Sequence, residues 1–457
     1  MTVPSFSGEV HRRRRVRALE ALGAGAMVLP AAPSLVRGRD ALQPYRPDAE
    51  LFYLTGFAEP EAVAVLRGFA EEERFVLFVP KRNREAERWD GPRRGPQEAR
   101  SDVGAEATYP LQELEERLPS LLEGADAIHF RMRREPTSVG RRCQEAVLQA
   151  LGTARARGAR HGTGPRSVVD PGEVLDELRL IKGPEEVERV RRAADVTAEA
   201  FREALASVGP SRSEAEVQAR LEAGFRRRGA QSPAFASIVG SGANACVLHY
   251  IDNAAAIGAD DLVLVDGGAE VDLYAADATR TVPASGVFSG GQRDLYEVVE
   301  EARRAAVDLV APDVRIDEVH HASVERLVDG LLQMGVLEGS MDEVVEKKEY
   351  RRYFPHHTSH WLGMDVHDPG DYARDGESRR LQPGMALTVE PGLYIPDSGP
   401  EGETDADTAA EEALKGIGIR IEDSVLVTEE GRDVLTGALP TEADEVAGLV
   451  EGRGHGV

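Results

Sequence analysis

Along the chain the spacing of apolar positions changes several times, and these changes divide it into two parts. Near the start, "RRRRVRALEALG" has helical spacing and "AMVLPA" is a short apolar run, so a helix and then a strand are expected. A basic cluster ahead of an apolar run also resembles an export signal, but Glu20 interrupts the run, which favours helix and strand. "AVAVLRG" and "RFVLFVP" read as strands, and "LQELEERLPSLLEG" puts leucines on one helical face and acids on the other. Helices alternating with such strands make an α/β domain, bounded at residues 1–175. In "GTARARGARHGTGPRSVVDPGE" periodicity fails and Gly, Arg and Pro collect, as in a linker or long surface loop.

From "LDELRLIKGPEEVERVRRAADVTAEAFREAL" the pattern is strongly helical, and Pro184 with two following glutamates suits a helix start. Strand signals follow in "DLVLVDGG", "LYAADATRTV", "MALTVEPGLYI" and "GIGIRIEDSVLVT", interrupted by helical patterns around 290–312 and 315–336. Strands joined by hairpins rather than crossover helices predict an α+β second domain, residues 176–457. The acidic stretch 396–416 is expected to be a solvated loop between two strands.

Length suggests two or three domains, since 457 residues exceed one ordinary core. No run of eighteen apolar residues occurs, so no membrane span or membrane partner is expected. The net charge of -25 argues against a nucleic-acid partner, because a polyanion would be repelled. Two cysteines, Cys143 and Cys246, give no disulfide framework and suit a reducing, cytoplasmic location. Of the 55 basic residues, 50 are arginine. An acidic, lysine-poor chain suits a high-salt cytoplasm, and GC-rich coding bias would also enrich arginine; both readings stand.

The segment "FPHHTSHWLGMDVHD" gathers His356, His357, His360 and His367, four of the chain's eleven histidines. Either it is a surface tract or it serves a metal or proton-transfer site. His356 and His360 have the spacing of a helical zinc motif, but position 357 is His rather than Glu and Gly363 breaks any helix. The "HWLGMDVHD" part alternates like a strand. Elsewhere, a hairpin centred near Val271–Asp272 would set Asp266 directly opposite Asp277. Two such carboxylates are tolerated if one is protonated or a cation lies between them; alternatively one caps a turn and the other is exposed. Arg420 and Glu422 share a strand face opposite Ile417, Ile419 and Ile421, which fits a functional face or a half-exposed strand equally. Glu390 ends an apolar strand before Pro391 and Gly392, either as a turn feature or as a site carboxylate. Asp266, Asp277, Glu390, Glu422 and one histidine together would carry enough charge for two divalent ions, manganese first, with cobalt, iron or zinc competing.

Taken in order, "IVGSGANACVLHY", "LVDGGAEVDLYAADATRT", "HHTSHWLGMDVHD", "LTVEPGLYI" and "GIGIRIEDSVLVT" resemble the metal-dependent aminopeptidase P enzymes of the pita-bread fold. "PYRPDAELFYLTGFAEPEAVAVL" resembles the N-terminal domain of the same bacterial enzymes, so the likeness runs from about residue 10 to 440. The resemblance implies Asp266, Asp277, His360, Glu390 and Glu422 as ligands of two divalent ions, with Asp277 and Glu422 bridging. It implies Glu390 as proton acceptor and shuttle, and His249, His356 and His367 as non-ligand histidines that bind substrate and support the transition state. Arg420 matches the arginine beside the last ligand, and Tyr394 joins the substrate-binding group. The implied substrate is a peptide with proline second, whose first residue is released. Trp89, in "RWDGPRRGP", matches a tryptophan that completes a neighbouring subunit's pocket, which implies a homo-oligomer, dimer or tetramer. Phe235 stands where the family commonly has tyrosine, and Glu50 where aspartate is frequent; both bear on specificity rather than on the reaction. His357 has no implied role and is expected in solvent or a turn. A prolidase, which cleaves only dipeptides, shares the fold and ligands. Methionine aminopeptidases usually lack so large an N-terminal domain, creatinase does not keep the five ligands, and a silent binding module would tend to lose them.

Overall fold

The computed structural model describes residues 8–132, 134, 137–158, 164–397 and 408–451. The chain forms two compact units, Met1–Leu178 and Arg179–Val457.

In the first unit a six-stranded mixed sheet runs in the order Ala107–Pro110, Phe75–Val79, Val63–Arg67, Ala26–Pro30, Ala127–His129, Ser167–Val169. The helix Gly8–Leu22 precedes the strand Ala26–Pro30, in agreement with the helix-then-strand reading. Strand Ala26–Pro30 pairs antiparallel with Val63–Arg67 and parallel with Ala127–His129. With neighbours on both sides, it reads as an almost unbroken apolar run. Its core also takes Leu114, Leu118, Leu121 and Leu122 from the leucine face of the helix Leu114–Leu122. The expected linker at 152–173 is corrected at both ends, while 159–163 lie outside the described residues. The helix Ser138–Gly158 continues through its first part, and Ser167–Val169 joins the sheet edge in parallel register with Ala127–His129. An edge strand of three residues gains its hydrogen bonds from a distant partner, so no local period announces it.

The second unit opens with the helix Pro184–Leu205, whose N-cap is Gly183 and whose Glu186 side chain accepts from the Gly183 N–H. Every strand pair within this unit is antiparallel among the described residues, as the hairpin reading required. Strand Leu262–Gly267 lies between Ile238–Ser241 and Ala278–Pro283; Ala386–Val389 pairs with Asp423–Val427, and Gly392–Ile395 with Ile417–Arg420. The helices Gly290–Leu309 and Ile316–Gln333 fall where the period changed.

Three further expectations are corrected. The hairpin after Leu262–Gly267 centres on Asp272–Leu273, both with positive φ (53° and 68°), one residue later than expected. Asp266 therefore faces Thr279 rather than Asp277. The segment 360–368 is no strand: it makes a single bridge, Trp361 to Leu387, and turns back so that the Asp368 N–H donates to the Trp361 carbonyl. In the acidic stretch 396–416, Ala409–Leu414 is a helix capped by Thr408, while 398–407 lie outside the described residues.

Candidate active site

Five segments far apart in sequence bring the expected carboxylates together. Strand Leu262–Gly267 supplies Asp266 next to its end, and Asp277 lies between two short strands of the hairpin. Glu390 follows strand Ala386–Val389 at the bend made by Pro391. Glu422 sits between Ile417–Arg420 and Asp423–Val427, bridged to Thr279. His360 comes from the loop that follows the turn Glu349–Arg352, held when its N–H donates to Thr388 Oγ1 and its carbonyl accepts from the Thr388 N–H.

The geometry is that of a buried acidic cluster. Asp277, His360 and Glu422 each present a ligand atom within 4.8 Å of the others. His360 Nε2 lies 3.5 Å from Asp277 Oδ2 and 3.4 Å from Glu390 Oε1. Its Nδ1 faces the Trp361 carbonyl at 3.1 Å and must donate there, so Nε2 is the nitrogen turned towards the carboxylates. Asp266 Oδ1, Asp277 Oδ1 and Glu422 Oε1 are buried without a hydrogen-bond donor. Burial first, then Asp266 and Glu390, pushes the Asp277 carboxyl well above the usual range. Burial, then Asp277 and Glu390, does the same to Glu422. Glu390 is raised too, chiefly by burial. Buried acceptor oxygens with no donor are costly unless they are protonated or face a cation. That donor set fits divalent metal ions.

Around the cluster, one arginine organises the wall. Arg420 donates to Asp266 Oδ2 at 2.6 Å, to Tyr394 Oη at 2.8 Å and to Thr279 Oγ1 at 3.2 Å. Thr279 Oγ1 in turn donates to Glu422 Oε2 at 2.7 Å. The half-exposed alternative for Arg420 and Glu422 is thus overturned, since both are buried. Tyr394 passes its proton towards His356 Nε2 at 2.9 Å, and His356 Nδ1 donates to the His357 carbonyl. Burial, then Arg420, holds the His356 imidazole down to about 3, so it is neutral at pH 7. His356 therefore spends both nitrogens on the protein. His367 stands with its ring 4.3 Å from that of His360, and burial pushes its pKa down.

A cavity of about 950 Å³ opens over the cluster, lined by Asp266, Asp277, His360, Glu390, Arg420 and Glu422 and also by His249, His356, His367 and Phe235. Its walls include Ile238, Leu248, Ile251 and Val366, so it is apolar around a polar floor. Tyr394 is buried behind His356. His357 is exposed, as expected. Trp89 belongs to the first unit, 86% exposed on the short helix Glu87–Asp90. Glu50, in the same unit, pairs with Arg131.

Sequence reasoning missed two groups here. One is Ile316, Asp317 and His320 at the start of the helix Ile316–Gln333, with Tyr372 and Ser378, all lining the cavity. The doublet His320–His321 inside a helix was the visible signal. The other is Arg179 and Lys182, which clamp Asp368 beside His367 at 2.6 and 3.0 Å.

Comparison with known proteins agrees with this geometry. Residues 188–429 match the family "Metallopeptidase family M24", and residues 11–129 match "Aminopeptidase P, N-terminal domain". The chain is 37% identical to an Xaa-Pro aminopeptidase of Escherichia coli (strain K12), covering 97% of this chain and 98% of the relative. It is 32% identical to human Xaa-Pro aminopeptidase 3, covering 92% of this chain and 80% of that protein. The solved Pseudomonas aeruginosa aminopeptidase PepP superposes with a TM-score of 0.89 at 40% identity, covering 98% of this chain and 99% of that one. A zinc-substituted E. coli aminopeptidase P in complex with product gives a TM-score of 0.89 at 37% identity over 98% of this chain and 99% of that one. With likeness extending over nearly its whole length, this chain belongs to metallopeptidase family M24.

Proposed function

We propose that the protein is an aminopeptidase that releases the first residue from peptides with proline in second position. The observation that carries this reading is the clustered set Asp266, Asp277, His360, Glu390 and Glu422, in which Asp266, Asp277 and Glu422 are buried and each has a carboxylate oxygen that lacks any donor. The close relatives are named Xaa-Pro aminopeptidases over nearly their full length, which supports the same substrate.

Membership of a metallopeptidase family implies divalent metal ions. In our reading those five residues would hold two ions, Asp277 and Glu422 contributing to both; manganese would be preferred, with cobalt, zinc or iron also suited to the donors. When bound, they would supply a nucleophile at neutral pH and polarise the carbonyl before proline. Glu390, on the cavity floor, takes the nucleophile's proton and returns it to the leaving proline nitrogen. His249 and His367 line the same cavity and donate to the developing oxyanion. Arg420 fixes Asp266, and through Tyr394 it fixes His356 as part of the substrate wall. Proline has no N–H to pair with a strand edge, so recognition falls to a shaped, largely apolar cavity. The catalytic domain is residues 176–457. Trp89, exposed on the other unit, is the residue by which a homo-oligomer, dimer or tetramer, would close a neighbour's pocket. The location we propose is cytoplasmic; no helix among the described residues is long and apolar enough to cross a membrane.

The test is hydrolysis of Ala-Pro and Ala-Pro-Ala by manganese-loaded protein. Free alanine from the tripeptide is the expected result. Cleavage of the dipeptide alone would make the enzyme a prolidase, and cleavage of neither would sink the reading.

A further inference from the structure

The cavity has an arm that the chemistry above does not use. Ile316, Asp317 and His320, from the start of the helix Ile316–Gln333, line it together with His357, Thr358, Tyr372 and Ser378. His320 is wired to the catalytic loop. Its Nδ1 lies 2.8 Å from Thr358 Oγ1 and accepts from the Thr358 N–H at 3.3 Å. Thr358 is itself fixed, because its carbonyl accepts from the Glu390 N–H at 2.8 Å. A backbone N–H aimed at Nδ1 sets the tautomer: the ring proton sits on Nε2. Burial, followed by the nearby His357, His321 and Arg351, pulls His320 down to about 4, against the opposing charge of Asp317, so the ring is neutral at pH 7. The exposed His357 ring stands 5.3 Å from it across the same arm.

The arm is thus lined by one oriented neutral donor, a second imidazole and mainly polar neighbours beside Ile316, and it adjoins the floor where the Xaa-Pro bond is placed. The cavity's volume of about 950 Å³ lies near the upper end of what small-ligand pockets reach, well beyond the needs of two residues. In an exopeptidase the chain beyond proline must leave along whatever cavity remains open. Resting on the aminopeptidase reading, we propose that His320 and His357 form a subsite for the residue after proline, donating to its main-chain carbonyl. This makes peptides longer than two residues the preferred class. Asp317 lines the same arm, and its charge disfavours a terminal carboxylate there, so the carbonyl of a continuing chain is the better acceptor.

The experiment compares kcat/KM of the manganese-loaded full chain for Ala-Pro amide, Ala-Pro-Ala and Ala-Pro-Ala amide. His320→Asn keeps an acceptor for the Thr358 N–H and loses the Nε2 donor; His357→Ala removes the second ring at an exposed position. Each variant should lower the ratio of tripeptide to Ala-Pro amide about fivefold, the worth of one neutral hydrogen bond, mainly through KM. The amidated tripeptide should be at least as good a substrate as the free acid. If both ratios stay at the wild-type value, or all three substrates fall equally, the subsite is wrong although the aminopeptidase stands. If the free acid is favoured and His357→Ala abolishes that preference, the arm binds a carboxylate and the carbonyl assignment is overturned. A wild-type enzyme that cleaves none of the three overturns the aminopeptidase reading and the subsite with it.

Discussion

Asp277 shows how much a single buried carboxylate depends on what faces it. Its folded pKa is raised by burial, Asp266 and Glu390, so the stability it contributes is present below the ordinary carboxylate range and is lost as pH rises through the folded value. Without metal, then, this cluster weighs against folding at neutral pH. Metal-free Asp277→Asn should melt about 3 °C above metal-free wild type at pH 8, and the gap should close towards pH 4. Thermal melts in chelator check this, and a lower melting point at pH 8 would mean that the cluster is already neutralised. Added manganese should stabilise wild type but not the variant. Arg420 makes a different point. Its fork reaches Asp266, Tyr394 and Thr279 together, which a single ammonium does not match. Arg420→Lys should lose roughly 10 to 100-fold in kcat/KM while circular dichroism stays native. Loss of the fold instead would make Arg420 a core residue first. The types of both residues were legible in the sequence. Their burial was not, because the strand that carries Arg420 looked equally suited to a half-exposed face.

At the scale of elements, the hairpin between Asp266 and Asp277 decides the site. Its turn sits at Asp272–Leu273, two consecutive residues with positive φ, the signature of a tight hairpin turn that usually takes Asn-Gly. Leucine there gives no such cue, which is why the expected centre fell one residue early. Gly268 permits the crossing: a Cβ there would lie 1.7 Å from the Ala276 carbonyl oxygen. Gly268→Ala should therefore cost about 3 kcal/mol and displace Asp277, seen as a lower urea midpoint and reduced metal content. Wild-type stability in this variant would show that the hairpin tolerates a wider path. Long helices such as Pro184–Leu205 were legible from their own spacing and caps, whereas Ser167–Val169 and the loop 361–368 owe their form to partners elsewhere.

At the scale of the whole molecule, two features act over long chain distances. Arg179 and Lys182 meet Asp368 almost 190 residues later, all three buried, and so hold the loop that carries His367. Asp368→Asn would leave two buried cations short of a charge, at a cost of about 3 kcal/mol, read as a fall in urea midpoint. An unchanged midpoint would mean that Asp365, which also pairs with Arg179, compensates. The net charge of -25 acts on the entire surface. If the acidic, arginine-rich composition is salt adaptation, folding and activity should persist in molar potassium chloride, where self-repulsion is screened; loss of both there would remove that reading. By itself, the sequence determined the two-part α/β and α+β organisation, the main helices and strands and the residue types of an acidic, histidine-containing centre, because period, caps and side-chain chemistry are local properties. Only the tertiary structure decided the register that places Asp266 opposite Thr279, the unpartnered oxygens, the hydrogen-bonded orientation of His320, His356 and His360 and the clamp on Asp368. Each of those depends on groups that meet only after residues far apart in the chain have packed together.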